Sequence, residues 1–127
     1  MRWKDKLVFD HVGLKVSDLA RSVRFYKAAL GTLGHELGSE GDGYAGLGPK
    51  GAPALWLHAH NGAIGPGTHL AFSARSRDAV ARFHAQALAH GGRDNGGPGL
   101  RKDYGDNYYA AFVLDPDGHN VEAVCFN

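Results

Sequence analysis

Two stretches of this chain, residues 9–16 and 68–74, alternate apolar and polar side chains with the period of a strand. In the first, Val12, Leu14 and Val16 share one side, and His11, Gly13 and Lys15 share the other. In the second, Leu70 and Phe72 oppose His69, Ala71 and Ser73. A helix signature follows each. Ser17 or Asp18 offers a side-chain oxygen to the free N–H groups of the first helix, and Ser76 to those of the second. Leu19, Val23, Tyr26 and Leu30 then recur at helical spacing, as do Val80, Phe83 and Ala87. Gly31 or Gly34 stops the first helix and Gly91-Gly92 the second. The pattern predicts three short strands after each helix, at about 35–38, 44–47 and 54–60, then 92–95, 108–114 and 120–126. Asp115-Pro116-Asp117-Gly118 between the last two is a hairpin turn: proline presets φ, aspartate bonds its own backbone, and glycine accepts positive φ. Residues 61–67 read as a linker. Residues 96–106, long, polar and glycine-rich, read as a mobile loop of functional kind.

The two halves are copies. Laying His11 on His69 also lays Arg24-Phe25 on Arg82-Phe83, Ala29-Leu30 on Ala87-Leu88 and Gly34 on Gly92, without a gap. Few residues are identical, but the strand, cap and helix signals keep the same register. The expected fold is therefore α+β: two tandem βαβββ modules, about 7–62 and 67–127, in one domain.

Composition sets limits. With 127 residues, 43% of them apolar, the chain can bury a core without staples. Fourteen basic against thirteen acidic residues, a net charge of +1, give no field to steer nucleic acid or an anionic membrane. No apolar run is long enough for a signal peptide or a span, so a cytoplasmic protein is expected. The single cysteine, Cys125, falls in an apolar strand and reads as a buried thiol.

Candidate chemistry lies on the strand faces turned from the helices. His11 and His69 fall there at equivalent positions of the repeat. In the last strand Val121, Ala123 and Cys125 oppose Glu122 and Val124, which puts Glu122 on the same face. A carboxylate in an apolar strand needs a partner, because burying it alone costs several kcal/mol or neutralises it. Each residue taken singly has an ordinary reading: a histidine at a strand start is usually a hydrogen-bonded edge residue, and a glutamate can pair with Arg or Lys. Together, two imidazoles and a carboxylate make a divalent metal site the stronger reading, with positions left open for a substrate. Mn, Fe, Ni, Zn and Mg all suit such a set.

The Asp10-His11-Val12 strand, the Ser17–Ser22 helix start, Arg24-Phe25-Tyr26 with Leu30-Gly31, Thr68-His69-Leu70-Ala71-Phe72, and Leu114-Asp115-Pro116-Asp117-Gly118-His119-Asn120-Val121-Glu122 together resemble the vicinal oxygen chelate superfamily. This is the glyoxalase, bleomycin-resistance and extradiol-dioxygenase group. The resemblance covers nearly the whole chain. It implies a mixed sheet curled around a metal-binding cleft, His11, His69 and Glu122 as ligands, and a homodimer. It implies a metal-dependent enzyme on a small substrate with vicinal oxygens, by lyase, isomerase, transferase or dioxygenase chemistry. The alternative is a metal-free small-molecule binder of the bleomycin-resistance type.

The departures narrow the resemblance. Glyoxalase I members carry a fourth ligand in the last strand of the first half. Laying Leu55-Trp56-Leu57 on Val121-Glu122-Ala123 puts Trp56 in that place, and Trp cannot ligate a metal there. His58, on the same face, is a substitute ligand or general base, or simply an exposed strand-end histidine. The fosfomycin-resistance thiol transferases resemble the chain at Leu55-Trp56-Leu57, but have a tyrosine where Phe112 stands and a threonine where Gly13 stands. Trp56, Tyr108 and Tyr109 are candidates for an aromatic cleft, although the two adjacent tyrosines point to opposite faces, so at least one of them only fills a strand. Arg101 and Tyr104 on the glycine-rich loop either close over a substrate or are solvated.

Overall fold

Alternation and capping build the same unit twice. A computed structural model describes residues 8–65 and 67–127. The first unit runs β1 (Val12–Val16), α1 (Leu19–Gly31), β2 (Glu36–Gly41), β3 (Tyr44–Gly48) and β4 (Leu55–Ala59). The second runs β5 (His69–Ser73), α2 (Arg77–Ala89), β6 (Arg93–Asp94), β7 (Gly99–Leu100), β8 (Tyr109–Leu114) and β9 (Asn120–Cys125). Asp18, not Ser17, caps α1 by accepting from the Arg21 N–H, and Ser76 caps α2 by accepting from Ala79. Past α2, Gly91 takes φ +100°, which a Cβ would resist, and Gly92 N–H closes the helix end on the Ala87 carbonyl.

The strands form two mixed sheets rather than one. Their orders are β1-β4-β3-β2 and β5-β9-β8-β6, with β7 paired to β8 beyond β6. Each sheet is mixed because its first and last strands, β1 with β4 and β5 with β9, run parallel. As a result β1 and β5 each lie at the edge of their own sheet. The helices pack against one another and each covers one face of its own sheet. One apolar core joins Leu14, Val16, Phe25 and Leu57 of the first unit to Val80, Phe83, Val113 and Val121 of the second.

Two expectations are corrected and a third is extended. The first strand starts at Val12, not near residue 9: Val12 N–H pairs with the Ala54 carbonyl, and the Ala54 N–H that could extend the ladder goes to the Leu47 carbonyl of β3 instead. The second unit has an extra strand, β7, inside the stretch read as a mobile loop. That stretch is tied down by the pairs Gly99–Ala110 and Leu100–Tyr109. The Asp115–Gly118 turn is more than a hairpin. Asp115, itself buried, accepts at 2.5 Å from the hydroxyl of Tyr26 on α1, and Asp117 accepts from the backbone and side chain of Ser17. The two halves are clasped there. Burial first, then Asp115, pushes the Tyr26 phenol far above its ordinary pKa, so it serves as donor.

Candidate functional site

Along β9, Val121, Ala123 and Cys125 enter the core while Glu122 turns to the opposite face. That face is covered too, and Glu122 is only 1% exposed. Both of its oxygens are engaged. Nε2 of His69 lies 2.9 Å from Oε1, and the Tyr108 hydroxyl donates to Oε2. The carboxylate therefore avoids the cost of an unpaired buried charge. Burial and then the carboxylate push the Tyr108 phenol well above its ordinary pKa, which keeps its proton on the oxygen. Phe112 stands directly across the ladder from Glu122, with its ring 6.2 Å from the His69 imidazole.

His11 sits apart from this pair. Its Nδ1 is 2.7 Å from Oδ1 of Asp10, which leaves Nε2 as the free nitrogen. His11 and His69 both line a cavity of about 370 Å³ between the start of β1 and the edge of β5, along with Asp10, His35, Leu55 and Phe72. Burial lowers the pKa of His35 there. Among the described residues no three His, Cys, Asp or Glu side chains are gathered so as to hold a metal. The expected triad is thus two joined residues and a separate third. The reason is topological: His11 leads an edge strand of one sheet and His69 an edge strand of the other.

Strand register settles the repeat partner of Glu122. Trp56 faces Gly13 across the parallel pair in the first unit, as Glu122 faces Ala71 in the second. Trp56 lies so close on Gly46 that a Cβ built there would fall 2.6 Å from its ring, and Tyr44 flanks it. The first unit therefore packs an indole where the second holds a carboxylate. His58 is exposed and stands opposite Lys15, its ring leaning over Gly13, with no hydrogen bond to His69 or Glu122.

The tyrosine ambiguity also resolves. Tyr109 packs toward the core with the Arg77 guanidinium 4.8 Å from its ring, so it is not a cleft residue. Tyr108 is the one at the carboxylate. Its ring stands edge-on between Tyr104 and Phe126, each 5.3 Å away. Arg101 lies over Phe112, 5.3 Å from the ring centre, and donates to the Gly97 carbonyl. Asp10, His35 and Phe126 were not singled out from sequence. Asp10 adjoins a candidate ligand and Phe126 continues the Glu122 face four residues on, which were the available signals.

The sequence model of the Glyoxalase/Bleomycin resistance protein/Dioxygenase superfamily matches residues 8–123. This chain belongs to that superfamily. A solved glyoxalase/bleomycin resistance protein from Albidiferax ferrireducens T118 is 32% identical, covering 91% of this chain and 96% of its own, with a TM-score of 0.78. A glyoxalase/bleomycin resistance protein/dioxygenase family enzyme from Burkholderia phytofirmans PsJN shares the fold at 19% identity, over 93% and 98% of the two chains, with a TM-score of 0.74. A glyoxalase-related enzyme from Fulvimarina pelagi does so at 20% identity, over 94% and 87%, with a TM-score of 0.72. No curated protein matches the chain. Membership of the superfamily accounts for the doubled βαβββ plan. No helix among the described residues is long and apolar enough to cross a membrane.

Proposed function

We propose that this chain is a metal-dependent enzyme acting on a small substrate with two neighbouring oxygens. The observation that carries the reading is the meeting of the half-exposed His69 Nε2 with Oε1 of the buried Glu122. An imidazole and a carboxylate aimed at one point suit a divalent cation. His11 is the third donor of this reading. The Asp10 carboxylate on its Nδ1 is the partner that usually orients a metal-binding imidazole and frees its other nitrogen. The donor set fits the cation in kind, and any of Mn, Fe, Ni, Zn and Mg suits it. When bound, the cation would supply Lewis-acid stabilisation of negative charge on a substrate oxygen. The chain's own residues do the rest. Tyr108 holds the carboxylate in one rotamer, and Phe112 walls the site. Trp56 in place of a fourth donor argues against glyoxalase I chemistry.

The reading includes a homodimer. His11 is separated from the pair in one chain, and among the described residues β1 and β5 both present unpaired edges, which invite a partner strand. Val8 and Phe9 beside His11 are 78% and 81% exposed, an apolar surface that a second copy would cover. His11 of the partner subunit would then complete the site.

The test is metal analysis of protein purified without chelator, alongside light scattering. Bound metal near one ion per chain, lost in His69→Ala and Glu122→Ala, and a dimeric mass are expected. No metal in the wild type and none on titration would sink the reading. A second reading, a metal-free binder, has its own support: both Glu122 oxygens are already satisfied by protein groups, and Tyr104, Tyr108 and Phe126 form an aromatic wall beside them. It expects binding of planar compounds that persists in EDTA.

A further inference from the structure

We propose that Arg101 recognises an oxyanion on the substrate, so that the Glu122–His69 site takes a small acid, with neighbouring oxygens at one end and a carboxylate or phosphate at the other. This rests on the metal-dependent reading above for the oxygen end only.

The guanidinium is held in a built position. It lies over the Phe112 ring, 5.3 Å from its centre, and Nη2 donates at 2.7 Å to the Gly97 carbonyl. The glycine-rich run explains itself by closing on this group. A Cβ on Gly96 would come 3.2 Å from Nη2, and one on Gly99 would come 3.1 Å from Nη1. Side chains at either position would press on the guanidinium. Yet among the described residues no carboxylate pairs with Arg101. Holding a long side chain costs rotamer entropy, and most of its five N–H donors are left without a protein acceptor.

Its place relative to the site is equally specific. Phe112 is the cross-strand neighbour of Glu122, and its ring centre lies 6.2 Å from the His69 imidazole and 5.3 Å from the Arg101 guanidinium. A small molecule lying across that ring would reach His69 and Glu122 with one end and Arg101 with the other. The planar fork of a guanidinium matches the two oxygens of a carboxylate or phosphate.

The experiment is calorimetric titration, under nitrogen, of the Mn²⁺-loaded protein with two pairs of probes. Catechol and 3,4-dihydroxybenzoate share neighbouring hydroxyls and differ by a carboxylate. Dihydroxyacetone and its monophosphate share a carbonyl with a neighbouring free hydroxyl and differ by a phosphate at the other end. In at least one pair the acid should bind about tenfold or more tighter, the value of a charge-assisted hydrogen bond. The pair showing it names the oxyanion. Arg101→Gln should abolish the preference and leave the neutral probes unchanged, while Arg101→Lys, retaining charge without the fork, should keep part of it. Equal binding within both pairs overturns the proposal, as does a preference that survives Arg101→Gln. So does a variant that weakens neutral and acidic probes alike, since Arg101 would then only staple the segment. Repeating the titrations in EDTA separates the two readings. An Arg101-dependent preference that persists without metal supports this proposal against the metal reading. Neutral probes that bind only with Mn²⁺, with no gain for the acids, sink this proposal alone. No binding by any of the four overturns both.

Discussion

Nε2 of His69 lies 2.9 Å from Oε1 of Glu122, across two parallel strands whose residues are 53 apart in the chain. The relationship depends on β5 and β9 pairing so that Ala71, not His69, sits opposite Glu122. The imidazole reaches along the strand to the carboxylate, and the Tyr108 hydroxyl closes the other side. A carboxylate that is 1% exposed is thereby held in one place by donors from two other segments.

Tyr108→Phe removes the donor on Oε2 and leaves that oxygen buried. The expected loss is about 1–3 kcal/mol of stability, the cost of an unsatisfied buried acceptor. Urea denaturation measures it. An unchanged midpoint, together with unchanged metal affinity, would mean that the hydroxyl does not hold Glu122.

Tyr26→Phe tests the clasp between the halves. Asp115 also accepts from the backbone N–H groups of Asp117 and His119, so its second oxygen alone is orphaned. A loss of about 1–3 kcal/mol is expected. Asp115→Ala should cost more, because the turn loses its internal acceptor as well. Equal unfolding midpoints for Tyr26→Phe and wild type would rule the clasp out as a source of stability.

Gly46→Val drives a side chain into the Trp56 ring, where even a Cβ would stand 2.6 Å away. Overpacking of this kind costs about 1–3 kcal/mol. The indole should also move, changing the near-ultraviolet dichroism. A variant with the wild-type spectrum and midpoint would show that the close contact is not maintained.

Stability should fall on mild acidification through His35. Burial lowers its folded pKa below the unfolded value, so between the two the unfolded chain binds more protons. Its contribution is intact above the unfolded pKa of about 6.5 and is lost as pH falls toward the lower folded value. His35→Leu should flatten this part of the profile of urea midpoint against pH. A profile of unchanged slope in the variant would assign the dependence elsewhere.

Much of the architecture is local physics, and sequence determined it. The alternation at Val12, Leu14 and Val16 told which face meets the helix, because side-chain period depends only on strand geometry. The cap at Ser76 and the turn at Asp115–Gly118 are satisfied by atoms within four residues of themselves. The repeat even anticipated that Trp56 stands where Glu122 does, since two strands of the same plan inherit the same register. What sequence left open depends on residues distant in the chain. Which tyrosine reaches Glu122 follows from where β8 starts, and the ordering of residues 96–106 follows from β7 finding β8. The clasp from Tyr26 to Asp115 spans 89 residues and has no periodic signature. Above all, three donors on matching faces did not imply three donors at one point. The faces come from alternation, whereas the meeting depends on two sheet edges, β1 and β5, which the tertiary structure alone keeps separate.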